Sequence, residues 1–217
     1  VRGAAPFASI DIHNNSGHNP HYACVSSMAD AHLQLARLFS RTVIYFERPL
    51  GVQSAALAPL CPAVAVECGR AGEPGSVPHA VELIESVLAL QHFPGHAVPE
   101  RDLDLMETRA IVRIPAAASF SYDGSAADIR LRADLDRLNF SELDPGTRFG
   151  HLGGEGTRRL EVVPARADAA ATAYFDYSHG EIRLAQRAIP AMLTLDPRAV
   201  RSVCLGYLME RVRRLPP

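Results

Sequence analysis

Residues 62–69, PAVAVECG, place a short apolar run directly before a glutamate and a glycine. A run of this length, rich in valine and free of charge, is typical of a strand that is covered on both faces in an α/β protein. Glu67 follows the run at once, and Gly69 marks a turn soon after it. This stretch therefore predicts a buried strand of an α/β sheet that ends in a carboxylate.

The residues around this strand show the same alternation of elements. Apolar and β-branched runs predict strands at residues 7–12 (FASIDI) and 42–46 (TVIYF). Apolar residues at helical spacing predict helices at residues 30–39 and 78–92. Strands that alternate with helices favour a mostly parallel or mixed sheet flanked by helices, and we assign this α/β domain to residues 1–95.

The second half of the chain has a different pattern. A linker rich in proline and charge, FPGHAVPERD, occupies residues 93–102. After it, short apolar runs are separated by glycine-containing turns, which predicts a smaller β-rich C-terminal domain over residues 105–217. Residues 199–214 have helical apolar spacing and a basic end, and we expect them to form a closing helix.

Composition excludes several classes of function. The 217 residues carry 22 basic and 24 acidic side chains, a net charge of −2, so we expect no nucleic-acid partner. All the basic residues are arginine, which excludes lysine-based chemistry. No apolar stretch is long enough to span a bilayer, and we expect no membrane partner. Four cysteines without a CxxC pair indicate reduced thiols in the cytoplasm.

A first candidate site lies in residues 11–20, DIHNNSGHNP. His13 follows a predicted strand, where α/β sheets place their ligands, and imidazole is the commonest metal ligand in proteins. Asp11 or a nearby carbonyl would fix the tautomer of the ring, and Asn14 and Asn15 offer donors and acceptors to a polar substrate. The alternative is a solvated loop in which the asparagines form turns and His13 is a surface residue.

Glu67 is the second candidate. A carboxylate at the end of an apolar strand is partly removed from water, which raises its pKa toward the range of a general base. The alternative is that Glu67 is simply the first exposed residue after a buried strand.

Together the two segments resemble one family. Residues 11–25, DIHNNSGHNPHYACV, resemble the third zinc-ligand segment of the succinylglutamate desuccinylase and aspartoacylase family, a branch of the zinc carboxypeptidase-like (M14) fold. Residues 61–69, CPAVAVECG, followed by GEPG, resemble the segment in which that family carries its general base. The tail at residues 193–205, LTLDPRAVRSVCL, resembles the end of aspartoacylases more weakly.

The resemblance implies an activity and a set of roles. It implies a zinc-dependent amide hydrolase that deacylates N-acyl amino acids or acts like a carboxypeptidase on short peptides. His13 matches a zinc ligand, and Glu67 matches the carboxylate that activates the metal-bound water. Asn14 and Asn15 are the expected substrate contacts beside the metal, and Tyr177 lies near the position of a substrate-binding tyrosine in the family's smaller domain.

One departure from the family concerns the metal. The family also holds zinc with a His-x-x-Glu pair on an early loop, and the twelve residues before His13 contain no such pair. His79 and Glu82 have this spacing, but they follow Glu67 and fall in the helix that the family resemblance implies on the outside of the sheet. Either the front of the domain lies outside this sequence, or the chain is a noncatalytic relic or binding domain. If the front is absent, exposed strand edges favour a homo-oligomer.

Another departure concerns the substrate. Aspartoacylases hold a substrate carboxylate with an arginine shortly before the base-bearing strand, and residues 51–60 contain none. Arg48 and Arg70 are the nearest substitutes. A third hypothesis is a thiol enzyme that uses Cys24 or Cys68, and it requires a base such as a nearby histidine.

Overall fold

The computed structural model describes residues 7–47, 51–154, 158–166 and 173–212. The chain divides into two compact units. The first takes in the described residues of 1–15, 20–108 and 211–217, and the second those of 16–19 and 109–210. Among the described residues, no helix combines the length and the apolar character that crossing a membrane requires.

The first unit is a mixed sheet with helices. Its elements in chain order are β1 (Ser9–Asn15), β2 (His21–Val25), α1 (Asp30–Phe39), β3 (Thr42–Tyr45), α2 (Gln53–Leu57), β4 (Ala63–Arg70), α3 (Ser76–Leu88), a 3-10 turn (Glu100–Asp102) and the start of β5 (Asp104–Arg113). The strand order is β1-β4-β2-β3-β5. The β2–β4 pair is antiparallel and the other three pairs are parallel. The predicted mixed sheet flanked by helices is confirmed.

Alternation along β4 explains how the sheet is covered. Val64, Val66 and Cys68 are buried in a core that they share with residues of α1 and α3, including Leu33 and Leu83. Because side chains alternate along a strand, Ala65 and Glu67 point to the opposite face. The core therefore fixes which face of the sheet presents the glutamate.

Helix α2 covers only the beginning of that opposite face. The Gln53 amide of α2 donates a hydrogen bond of 3.0 Å to the Ser9 hydroxyl at the start of β1. Ser9 is 6% exposed, whereas Asp11 is partly exposed and His13 is exposed on the same side of the strand. The carboxyl end of β1 thus remains accessible to water. β1 also lies at the edge of the sheet, with β4 as its partner.

The second unit is rich in strands, and β5 ends in it. Its other elements are β6 (Phe120–Ser121), β7 (Ile129–Leu131), β8 (Arg148–Leu152), β9 (Glu161–Pro164), β10 (Phe175–Asp176), β11 (Glu181–Leu184), β12 (Ile189–Ala191), α4 (Pro197–Ser202), β13 (Gly206–Arg211) and 3-10 turns at Leu135–Leu138 and Ser178–Gly180. The end of β5 pairs antiparallel with β9, and β12 pairs antiparallel with β13. A separate five-stranded sheet has the order β10-β11-β8-β7-β6.

The closing helix predicted over residues 199–214 is wrong. Helix α4 ends at Ser202, and Gly206–Arg211 forms the strand β13. Leu208 and Met209 are fully buried, and the Leu205 amide donates to the Val112 carbonyl at 2.8 Å, so strand pairing outweighs the helical spacing. Residues 213 and 214 of the predicted helix lie outside the described residues.

Candidate active site

The pairing of β1 with β4 brings His13 and Glu67 together. The two residues are direct partners in the parallel register, although 54 positions separate them in the chain. Partners on adjacent strands lie about 4.8 Å apart and point to the same face of the sheet. Both stand toward the carboxyl ends of their strands, where open α/β sheets bind ligands.

Asp11 orients the imidazole of His13. Its Oδ2 lies 2.9 Å from Nε2 of His13, and Asp11 stands two positions earlier on the same face of β1. A carboxylate only accepts hydrogen bonds, so Nε2 carries the proton and the lone pair of Nδ1 is left for another partner. A carboxylate behind an imidazole is the usual support for a histidine that binds a metal. His13 is half exposed, so the ring is accessible.

Glu67 is a buried carboxyl group with one unsatisfied oxygen. Its Oε2 is buried and has no hydrogen-bond partner among the described residues. Burial raises the pKa of Glu67, and the charge of Asp11 raises it further. His13 and a hydrogen bond from Asn15 oppose the rise without cancelling it. A carboxylate held in this state accepts a proton more readily than an ordinary glutamate.

The two asparagines differ in their contacts. The Asn14 amide donates a hydrogen bond of 3.3 Å to the Cys68 carbonyl, which ties the end of β1 to β4. Asn15 is buried just after an irregularity in the β1–β4 register, and its side chain lies close enough to Glu67 to oppose the rise in the pKa of that group. The structure therefore places Asn15 beside the carboxylate. The role of both residues in substrate binding stays a prediction.

Tyr177 belongs to the second unit. Its hydroxyl accepts a hydrogen bond of 3.1 Å from the Leu160 amide, and the Arg159 guanidinium lies 4.9 Å from the centre of its ring. Burial raises the pKa of Tyr177 to about 12. These contacts fix the side chain within its own unit, and its role in substrate binding stays a prediction.

The two cysteines near Glu67 are poor nucleophiles. Cys68 is 2% exposed, and burial raises its pKa. Burial also raises the pKa of Cys24, and in both cases the charge of Glu67 adds to the effect. Since the thiolate is the reactive form, this environment works against a thiol enzyme.

His79 is engaged in a structural cluster that the sequence did not reveal. Its Nε2 donates to the Phe39 carbonyl at 2.8 Å, and its Nδ1 lies 2.5 Å from Nδ1 of His21. The His79 ring also stacks on Phe39, with ring centroids 4.1 Å apart. Both nitrogens of His79 are therefore occupied, which excludes it as a metal ligand in this arrangement.

The residues present do not complete a zinc site. A catalytic zinc takes three protein ligands, and the described residues contain no group of three His, Cys, Asp or Glu side chains that could hold a metal. His13 with Asp11 behind it has the chemistry of one ligand. Arg48, one of the two arginines considered for a substrate carboxylate, lies outside the described residues, and Arg70 is exposed at the end of β4.

Comparison with known proteins defines the fold. No family model matches the chain, and no curated protein matches it. Solved structures do. The succinylglutamate desuccinylase from Chromobacterium violaceum matches 98% of this chain at 16% identity with a TM-score of 0.52. The succinylglutamate desuccinylase from Vibrio cholerae matches 95% at 19% identity with a TM-score of 0.51. A succinylglutamate desuccinylase/aspartoacylase from Rhodobacter sphaeroides matches 94% at 12% identity with a TM-score of 0.50.

These matches place the chain in a structural class. It has an α/β fold with a mixed sheet and a strand-rich second unit. More particularly, the fold is that of the succinylglutamate desuccinylase and aspartoacylase proteins, as the sequence resemblance implied. The chain spans 54–58% of the length of these three solved proteins.

Proposed function

We propose that this chain carries part of the active site of an amide hydrolase of the desuccinylase and aspartoacylase type. The observation that carries the proposal is the register pairing of His13 with Glu67, whose buried Oε2 lacks a hydrogen-bond partner among the described residues. An imidazole and a carboxyl group of raised pKa on one accessible face are the groups that activation of a water molecule requires.

Glu67 acts as the general base. It takes a proton from the water that attacks the amide carbonyl, and it then passes that proton to the nitrogen of the leaving amine. A raised pKa suits both steps, because the group accepts a proton more readily than an ordinary glutamate and can still release it to the leaving amine. Asn15, buried beside the carboxyl group, favours its ionised form and so limits the rise in its pKa.

Among the described residues, His13 is the one side chain that we propose as a zinc ligand. The resemblance implies that the remaining ligands come from a His-x-x-Glu pair, which the twelve residues before His13 do not contain. The described residues thus supply one side chain of a ligand set that needs three.

The substrate class follows from the same resemblance. The solved relatives include enzymes named for succinylglutamate, and an N-acyl amino acid or a short peptide is the corresponding small molecule for this chain.

We place the protein in the cytoplasm, because all four of its cysteines are free thiols.

The second candidate function is a noncatalytic binding domain. It is favoured by the lack of a three-residue metal group in the part of the chain that the structure describes. In that case His13 and Glu67 would be remnants of a site, and the protein would hydrolyse no acyl amino acid.

The test uses the protein at its natural length. Zinc content and hydrolysis of N-succinyl and N-acetyl amino acids are measured for the wild type, His13→Ala and Glu67→Gln. We expect His13→Ala to lose zinc. We expect Glu67→Gln to keep zinc and to lose about 10²–10⁴-fold in kcat, the usual contribution of a general base.

Matched controls change the same residue types elsewhere. His92→Ala and Glu85→Gln alter exposed residues of the first unit, and both should keep zinc and activity. Zinc retained in His13→Ala, or full activity in Glu67→Gln, contradicts the proposal. A wild type without zinc and without hydrolysis establishes the noncatalytic alternative.

A further inference from the structure

The second unit carries a row of charged side chains on the outer face of its five-stranded sheet. In β7, Ile129 and Leu131 are buried in the core, and Arg130 between them is exposed on the other face. Arg130 pairs in register with His151 of β8, and His151 pairs with Glu181 of β11. Register partners point to the same face, so these three residues form a continuous row.

A cavity of about 300 Å³ opens at one end of this row. Its charged and titratable lining consists of Arg130, Arg132, Arg148 and His151, and the remaining lining residues are glycines and one leucine. No acidic residue lines the cavity in the described part of the chain. A volume near 300 Å³ lies at the lower end of the range for small-molecule sites.

Two of the nearby positive charges are already neutralised. Arg132 makes a bidentate pair with Asp134, with Nε and Nη2 at 2.6 and 2.7 Å from the two carboxylate oxygens. Nε of Arg183 donates a hydrogen bond of 2.5 Å to Oε2 of Glu181. These short contacts explain why the pKa of Asp134 and that of Glu181 are both lowered, first of all by their arginine partners.

Two guanidinium groups are left without a close carboxylate. Arg148 lies 4.0 Å from Glu181, whose nearer contact is Arg183. Arg130 makes no ion pair within the described residues, and its Nη2 donates a weak hydrogen bond of 3.4 Å to the Leu152 carbonyl. Arg130 therefore brings an unpaired positive charge to this small cavity, and Arg148 brings a second whose only ion pair is the 4.0 Å contact with Glu181, a carboxylate that it shares with Arg183.

We propose that this cavity binds a small molecule through an oxyanion, carried by a phosphate or a carboxylate group. The planar guanidinium presents two parallel donors that match the oxygens of either group, and such charge-assisted bonds are stronger than neutral ones. His151 between the arginines adds a further ring nitrogen as a donor. The site lies wholly in the second unit and is independent of the hydrolase proposed above.

The experiment titrates the full chain with inorganic phosphate and, separately, with succinate, at low ionic strength in a calorimeter. Saturable binding of either anion supports the proposal, and the anion that binds more tightly identifies the group on the ligand. Truncating two charged donors should remove most of the affinity, and we expect Arg130→Gln with Arg148→Gln to weaken binding by at least about tenfold. Added salt should weaken wild-type binding as well.

Two further variants keep the test decisive. Arg187→Gln removes the same charge from an exposed pair with Asp144 in the same unit, and it should change the affinity less than about twofold. Arg130→Lys keeps the charge and preserves folding even if the double variant unfolds, and it should still weaken binding because the paired donors are lost. Absence of saturable binding by both anions, or an equal loss in Arg187→Gln, overturns the proposal.

Discussion

Two histidine sites of the first unit have similar chemistry and opposite environments. His13 stands exposed on the open face of the sheet, supported by Asp11 and next to a carboxyl group of raised pKa. His79 lies between Phe39 and His21, and both of its nitrogens are hydrogen bonded within the fold. In the first arrangement the imidazole and the carboxyl group remain accessible for chemistry. In the second, the ring nitrogens are engaged in hydrogen bonds that connect α1, β2 and α3.

A match to the spacing of a metal motif does not by itself identify a metal ligand. His79 and Glu82 match the spacing of a metal pair, whereas His13 has no glutamate three positions after it. A structural histidine is identified by its satisfied nitrogens. A functional one is identified by a lone pair that faces solvent beside another unsatisfied group.

The largest effect is expected from His79→Ala. It removes the stacking on Phe39 and the bond to the Phe39 carbonyl, and it should lower the free energy of unfolding by about 2 kcal/mol. Urea denaturation measures it. His92→Ala, at an exposed position, is the control and should change stability by less than about 0.5 kcal/mol. Equal changes in the free energy of unfolding for the two variants would contradict a structural role of His79.

A smaller effect is expected from pH. Burial and the proximity of His79 lower the pKa of His21 below 6.5, and the charge of Glu73 opposes this. Just below pH 6.5, His21 therefore binds fewer protons in the folded protein than in the unfolded chain, and His32, whose pKa is also lowered by burial, acts in the same direction. The contribution of His21 to stability should be full above pH 6.5 and fall as the pH drops, by less than about 1.4 kcal/mol per pH unit, the limit for one proton.

Burial is the main cause of this sign, because the charged form of the His21 ring loses hydration where the ring packs against His79 and Phe39. Chemical denaturation between pH 7.5 and 5 tests this, and His21→Phe, which retains a stacked ring, should make the profile less steep. An unchanged slope in that variant contradicts the account.

The Glu67→Gln substitution should raise stability. Ionised Glu67 is disfavoured by burial, so its replacement by a neutral side chain should add about 1 kcal/mol at pH 7, allowing for partial exposure. The gain should shrink as the pH falls toward 4.5, because the wild-type group is then neutral too. Thermal unfolding at the two pH values measures this. Glu85→Gln, on the exposed side of α3, should show no gain at either pH.

The smallest effect concerns Asp11. Its charge is the smallest contribution to the raised pKa of Glu67, so Asp11→Asn should move that pKa slightly downward. Carboxyl ¹³C NMR resolves such a shift. An upward movement would show that Asp11 acts mainly by orienting His13.

The sequence revealed local structure and missed long-range geometry. The helix at residues 30–39 agrees with α1, because its apolar face follows the helical period closely. The strand predicted at residues 63–66 continues to Arg70, because the buried Cys68 keeps the alternation beyond Glu67. Glu67 therefore lies within β4 and not in a turn after it.

The site shows the same limit. Strand-end polar residues indicated His13 and Glu67 as candidates, but their register depends on the pairing of β1 with β4, which no local pattern encodes. The contact between His21 and His79 joins residues 58 positions apart, and local sequence patterns did not predict it either. Helical spacing at residues 199–214 gave a wrong prediction because tertiary pairing overrode it.

The most direct test of the account is the titration of the Glu67 side chain by carboxyl ¹³C NMR in the wild-type protein. The account predicts a pKa clearly above 4.5, and it predicts a further rise in His13→Ala, since His13 opposes the shift. A Glu67 pKa at or below 4.5, with no response to His13→Ala, would contradict a desolvated base that stands beside that imidazole.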